Sequence, residues 1–192
     1  MKNTNKFWLV DLVFFTAFFL LFGVFNPFTI LLIGFILITP YFLFTNRKNY
    51  LKYFFISILF GIIWSLVSKG NYNYNSNFPN FLGIDFYLLL AWSAGLFVFY
   101  ILFLNIKKIQ KYNFIIKFLI FFIIYSSSLL LVESIAYHVF GIHNELTKNY
   151  PPIKFCECIR APRWIQISYF ILGPAYFAVS ESINKLTKNK NS

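Results

Sequence analysis

The sequence predicts an all-α integral membrane protein, a polytopic bundle of six transmembrane helices. Of the 192 residues, 59% are hydrophobic and only 12% are charged, so the chain lacks the polar residues that would cover a water-soluble surface. The apolar residues fall into six stretches, each about 18 to 25 residues long, which is the length of a membrane span. Basic residues are concentrated in every second gap between these stretches.

The length of the six stretches matches the thickness of a bilayer. At a rise of 1.5 Å per residue, each one crosses a hydrocarbon core of about 30 Å as a helix, which satisfies its own backbone hydrogen bonds. The first stretch is too long for a signal peptide and no small residues follow it, so we expect a helix rather than a cleaved leader. One membrane domain, residues 1–192, contains all predicted spans: 7–25, 27–44, 50–67, 81–104, 112–136 and 164–183.

The distribution of lysine and arginine predicts the orientation of the bundle. Of the 17 basic residues, twelve lie on the side that carries both termini, so that side should be cytoplasmic and the protein should lie in the cell membrane. Residues 68–80 and 141–163 then form the longer outer loops. The net charge of +11 would suggest nucleic acid in a soluble protein, but these residues border apolar stretches. Membrane lipids are therefore the predicted partners, without nucleic acid and without a cofactor.

Two acidic residues near the cytoplasmic side have simple structural explanations. Asp11 lies one turn inside the first helix, where we expect it to pair with Lys6 near the lipid headgroups. Glu181 precedes Lys185 by four residues, the spacing of an ion pair along a helix. At the outer side, Asp85 begins the fourth helix, and a carboxylate there is expected to cap free backbone N–H groups.

Glu133 is the strongest functional candidate, because it lies about 20 residues into the fifth span between apolar residues. An ionisable group within the membrane is costly and needs a partner or a function. At 100° per residue, Ser126, Tyr137 and Ser134 lie within 100° of Glu133, and Ser127 and His138 extend the polar stripe to about 140°. We expect this stripe to face the bundle interior or a water-filled cavity that opens outward. Serine hydroxyls bonded between helices are the alternative explanation.

The third outer loop contains the densest polar chemistry of the chain. Both cysteines lie there, and a disulfide between them would close a small ring, so free or structural thiols are expected. A tetrahedral zinc site is a less favoured hypothesis, because the spacing matches no standard zinc signature. Its ligands would be His138, His143, Cys156 and Cys158.

The leading functional hypothesis is a small enzyme that modifies a lipid or isoprenoid-type substrate at an outward-facing site. Glu133 would act as general acid or base, and the arginine side chains would bind a phosphate or pyrophosphate head. The predicted catalytic residues are Glu133, His138, Tyr137 and Asp85, and the predicted substrate-binding residues are Arg160, Arg163, Ser126 and Ser134. The alternatives are a transporter or channel component for a proton or small solute, and a non-catalytic membrane assembly subunit.

Overall fold

The computed structural model describes residues 4–74, 79–81 and 84–189, and in these residues six α-helices and one small hairpin form the fold. The helices are α1 (Thr4–Leu20), α2 (Pro27–Phe44), α3 (Leu51–Val67), α4 (Phe86–Leu104), α5 (Phe114–His138) and α6 (Arg163–Asn189). The hairpin pairs β1 (Asn80–Phe81) with β2 (Ile84–Asp85) in antiparallel register. Four helical segments are long and apolar enough to cross a membrane: Pro27–Phe44, Lys48–Val67, Phe86–Leu104 and Phe114–His138. The fold therefore fits a membrane-embedded helical protein.

Local capping explains where two helices begin. The side chain of Asn26 accepts a hydrogen bond from the backbone N–H of Thr29 (3.2 Å), and Pro27 occupies the first turn of α2, which covers the range of the predicted second span. The predicted start of the fourth helix at residue 81 is wrong. The hairpin takes up those residues, and α4 begins only after Asp85, whose carboxylate caps it by accepting from Leu88 N (3.2 Å). Residues 75–78 of the predicted second outer loop lie outside the described residues.

Asp11 is bound by residues that follow or belong to other helices, and the side chain of Lys6, which the sequence suggested as its partner, lies outside what the structure describes. Asp11 is fully buried, and its two oxygens accept from Arg47 Nη1 (2.7 Å) and Nη2 (2.9 Å). Tyr41 Oη (2.6 Å) and Asn105 Nδ2 (3.0 Å) donate to the same carboxylate. This cluster of four residues, the Asp11 cluster, joins α1 to the ends of α2 and α4.

Glu181 likewise finds a partner on another helix rather than on its own. Its carboxylate accepts from Lys117 Nζ at 2.6 Å and from Tyr100 Oη at 3.0 Å, while the Lys185 ammonium lies 5.1 Å from the ring centre of Phe114. Glu181 is buried, so a cation that reaches it through the interior replaces lost hydration better than an exposed neighbour would. The predicted Glu181–Lys185 pair is wrong.

These contacts show that the six helices alternate in direction. The starts of α1 and α5 meet the ends of α2, α4 and α6 at one end of the bundle. The start of α3 joins them there, because the hydroxyl of Tyr50, which directly precedes α3, donates to Asn105 Oδ1 (3.4 Å) at the end of α4. Between the two ends the interior is filled by aromatic rings, and Phe97, Tyr100 and Phe177 are fully buried. The opposite end, formed by the ends of α3 and α5 and the start of α6, carries the loops.

Candidate functional site

A polar cavity of about 40 Å³ lies at the loop end of the bundle, opposite the Asp11 cluster. A water molecule needs roughly 10–15 Å³ of cavity volume. This cavity therefore holds about three water molecules or a small polar group. Its wall combines the end of α5, the start of α6 and the loops that follow α3 and α5. The lining residues are Tyr72, Tyr74, Glu133, Tyr137, Ile142, His143, Asn144, Thr147, Lys148, Cys158, Ile159, Arg160 and Tyr169.

Asn144 brings these two loops together at this wall. Its side-chain amide donates to the carbonyl of Asn71 (2.6 Å), and its Oδ1 accepts from the backbone N–H of Asn73 (2.9 Å). The backbone N–H of Glu145 donates to the Asn73 carbonyl (3.0 Å), which extends the pairing by one residue. Residues 72–74 are thereby held over the end of α5, so two tyrosines far from Glu133 in sequence line the same cavity.

The tyrosines of the wall supply neutral hydrogen-bond donors. Burial raises the pKa of the Tyr72 and Tyr74 hydroxyls well above its usual value, so both stay protonated at neutral pH. The hydroxyl of Tyr72 donates to that of Tyr169 at 3.0 Å. Because Tyr169 accepts in this bond, its own O–H remains available to a group in the cavity.

Glu133 is half-buried and lines the cavity together with Tyr137 one turn further along α5. Within residues 4–74, 79–81 and 84–189, its carboxyl has no hydrogen-bond or ion-pair partner. The predicted polar stripe of α5 is narrower than expected. Ser127 and His138, at about 120° and 140° from Glu133, are exposed, so only the sector nearest Glu133 faces the cavity. Most of the α5 surface is apolar and is not covered by the rest of the described chain.

The two serines predicted to bind substrate do not line the cavity. The hydroxyl of Ser126 is buried, and no residue of the described part of the chain forms a hydrogen bond with it. Ser134 is half-buried beside Glu133. Their part in binding stays a prediction.

The two histidines take different positions. His138 Nε2–H donates to the backbone carbonyl of Cys156 at 2.8 Å and holds the loop between α5 and α6 against the last turn of α5. His143 lines the cavity, with its ring centre 5.6 Å from that of Tyr137 and its Nε2 3.1 Å from Glu145 Oε1. His138 therefore positions the loop, while His143 lines the same cavity as Glu133.

Cys156 and Cys158 form a disulfide, so the expectation of free thiols is wrong. Glu157 between them adopts a positive φ of 50°, which turns the chain and brings the two Cα atoms to 5.0 Å, within bonding range. Both sulfurs are used in this bond, which removes them from the zinc set proposed with His138 and His143. The bridge instead fixes Cys158 in the cavity wall, two residues before Arg160.

Two cations line the cavity, and the sequence had singled out one of them. Arg160 Nη1 donates to the carbonyl of Lys148 at 3.4 Å, and its buried Nε has no hydrogen-bond partner in the described ranges. Lys148 Nζ lies 3.4 Å from Glu145 Oε2. The sequence offered no signal that separated Lys148 from the other basic residues of this loop.

Arg163 and Asp85 do not line the cavity. Arg163 is exposed at the first residue of α6. Asp85 caps α4, and burial raises the pKa of its carboxyl while the N–H donors of Leu88 and Tyr87 oppose that rise. A charge on Asp85 interacts with Tyr74, so Asp85 borders the site without lining it.

No protein-family model, curated protein or solved structure matches this chain. The class of the protein therefore rests on its fold, an apolar helical bundle that fits a membrane, and on a polar cavity at one end of that bundle.

Proposed function

We propose that this protein is a small membrane enzyme that modifies a lipid or isoprenoid-type substrate by acid/base chemistry at an outward-facing site. The observation that carries the proposal is the Glu133 carboxyl, which lines a polar cavity without a bonded partner among the described residues. A carboxyl in that position is available to exchange a proton with a bound substrate. Tyr137 and His143 line the same wall and pass the proton on towards the solvent.

The proposal includes six membrane spans with both termini in the cytoplasm. The alternating helices support it, because the Asp11 cluster and the Glu181 pair bring the cytoplasmic ends of the predicted spans together. At 1.5 Å per residue α6 is about 40 Å long, enough to cross a bilayer, and α1 is about 26 Å long and crosses with its flanking turn. The cavity then opens at the outer surface of the cell membrane.

The size of the cavity limits what enters it. About 40 Å³ accommodates the reacting polar part of a substrate and excludes a long apolar chain. The apolar part would lie in the bilayer beside α5, whose residues Leu131 and Val139 are exposed. Phe155, at 95% exposure, projects from the turn that His138 binds at the end of α5. An aromatic side chain at that level suits the outer lipid interface, where the substrate would approach.

Packing beneath the cavity favours an enzyme over a transporter. The ring of Tyr169 packs edge-to-face on Trp92 (centroids 4.7 Å apart) and on Trp64 (6.1 Å). Further along α6, Tyr176 and Phe177 are fully buried. A solute path would need polar groups across the membrane, whereas this stretch of the interior is filled with rings.

A comparison of Glu133→Gln with Glu157→Gln tests the proposal. Glu157 is exposed on the same outer side and does not line the cavity, so its variant controls for the loss of one carboxylate. Each variant replaces the wild type in cells that lack their own copy, and the membrane lipids are compared by mass spectrometry. We expect a lipid species that depends on the wild type and on Glu157→Gln and is lost with Glu133→Gln. Identical lipid profiles for the wild type and Glu133→Gln would refute the acid/base role.

A further inference from the structure

We propose that the cavity binds a phosphate-type group, a phosphate or pyrophosphate, and that Arg160 and Lys148 hold its charge. The inference rests on the proposed function in one respect, because it names the polar head of the substrate on which Glu133 acts. Anion binding itself is measured without knowledge of the reaction. The two ideas can therefore fail separately.

The balance of donors and acceptors in the wall favours a ligand rich in acceptors. The guanidinium of Arg160 and the ammonium of Lys148 only donate, and the hydroxyls of Tyr74 and Tyr169 each keep an O–H that can donate into the cavity, because the Tyr72 hydroxyl donates to Tyr169. Among the lining residues that the structure describes, Glu133 is the only acidic one. A phosphate group presents several strong acceptor oxygens and matches such a wall.

Arg160 supplies the most specific sign of a missing partner. Its Nε is buried, and no described residue accepts a hydrogen bond from it. Its Nη1 makes one long contact of 3.4 Å to a carbonyl. A buried donor on a charged group costs free energy unless a ligand or water accepts its hydrogen. The planar guanidinium binds two oxygens of one phosphate side by side, which would satisfy Nε together with an Nη.

The charges of the cavity are near one another but not paired. Glu133 makes no ion pair with Arg160 or with Lys148, although all three line one small space. Two cations face one carboxyl there, while Glu145 contacts Lys148 from outside the lining. A ligand that fits must therefore neutralise the two cations and offer an acceptor to the carboxyl of Glu133. A phosphate ester does both, because its anionic oxygens neutralise the cations and its ester or hydroxyl oxygen lies towards the proton of Glu133.

The experiment uses purified full-length protein and three variants that each remove one positive charge. Calorimetric titration with inorganic pyrophosphate, and separately with inorganic phosphate, gives the Kd. We expect Arg160→Gln to weaken binding at least tenfold and Lys148→Gln about threefold, because Arg160 is the more buried cation. Lys154→Gln is the matched control: Lys154 is exposed on the same loop and does not line the cavity, so its Kd should stay within twofold.

The Arg160→Lys variant distinguishes the loss of the two-point guanidinium contact from a failure of the protein to fold. It keeps the charge but presents a single ammonium, so we expect an intermediate loss of affinity with an unchanged unfolding temperature. Absence of binding to the wild type, or equal losses for Arg160→Gln and Lys154→Gln, would overturn the inference. In either case the cavity holds only water.

The source of the phosphate is decided by native mass spectrometry in nanodiscs. Retention of phosphatidic acid over phosphatidylcholine, sensitive to Arg160→Gln, identifies a lipid headgroup, whereas binding of inorganic pyrophosphate alone identifies a free anion. Both results support the phosphate site. Glu133→Gln should bind the anion at least as tightly as wild type, because glutamine keeps a polar side chain in the cavity and never carries a negative charge that would repel the anion. Loss of the lipid product in Glu133→Gln without anion binding by the wild type would leave the proposed function standing and refute this inference.

Discussion

Removal of Arg47 should destabilise the bundle more than most single substitutions, because it leaves the Asp11 carboxylate buried without its cation. The Arg47→Met variant loses two of the four hydrogen bonds to Asp11, at 2.7 and 2.9 Å. Tyr41 and Asn105 still donate, but neither carries a positive charge. The Asp11 side chain is 0% exposed and that of Arg47 10%, so solvent screens the pair little. Breaking such a buried pair costs about 3–5 kcal/mol.

A double-mutant cycle separates the charge from the packing. Arg47 also stacks over the rings of Phe7 (4.5 Å) and Phe42 (4.9 Å), and methionine retains part of that apolar contact. In Asp11→Leu/Arg47→Met no charge stays buried, so the double variant should be more stable than the sum of the single losses by about 2–3 kcal/mol. The free energy of unfolding is measured by circular dichroism in mixed micelles with increasing dodecyl sulfate. Strictly additive losses would refute the assignment of a coupled buried pair.

Three further predictions concern packing and the outer loop. Gly61→Ala should destabilise the bundle by about 1–3 kcal/mol, because the added Cβ would lie 2.8 Å from a backbone carbonyl of α4. Gly95→Ala is the control, because its added Cβ meets nothing within 4 Å. It should be neutral or stabilising in the same unfolding assay. Gly173→Ala should also destabilise, since its methyl would overlap the ring of Tyr125, and a melting temperature equal to wild type would contradict that packing. A photo-crosslinking amino acid at Phe155 should yield lipid adducts in membranes; adducts with protein alone would contradict its place at the lipid interface.

Local sequence predicted a helix boundary well where a capping residue marks the start of the helix. Asn26 and Pro27 mark the start of α2, and the Asp85 carboxylate caps α4, because capping involves residues only three apart. The pairing of Asn80–Phe81 with Ile84–Asp85 was missed, since hydropathy at these residues allows a span to continue and does not indicate strand pairing. Glu133 and Tyr137 were found by helical periodicity, which places residues four apart on one face.

Partners far apart in the chain were decided by the tertiary structure alone. Asp11 binds Arg47, 36 residues away, and Glu181 binds Lys117, 64 residues away. Tyr72 reaches Tyr169 across 97 residues. Spacing favoured the nearer lysines for both acids, because an exposed helical neighbour is the only partner that periodicity can indicate.

The sequence by itself determined that the chain is apolar, helical and long enough in at least four segments to cross a membrane, because hydropathy and span length are properties of consecutive residues. It also predicted that most of the candidate site residues lie at the loop end of the bundle. Only the tertiary structure decided which polar groups share the cavity, that His143 rather than His138 lines it, and that the cysteines are joined. The physical reason is that a cavity is formed where separate elements meet, and no periodicity within one element specifies that meeting.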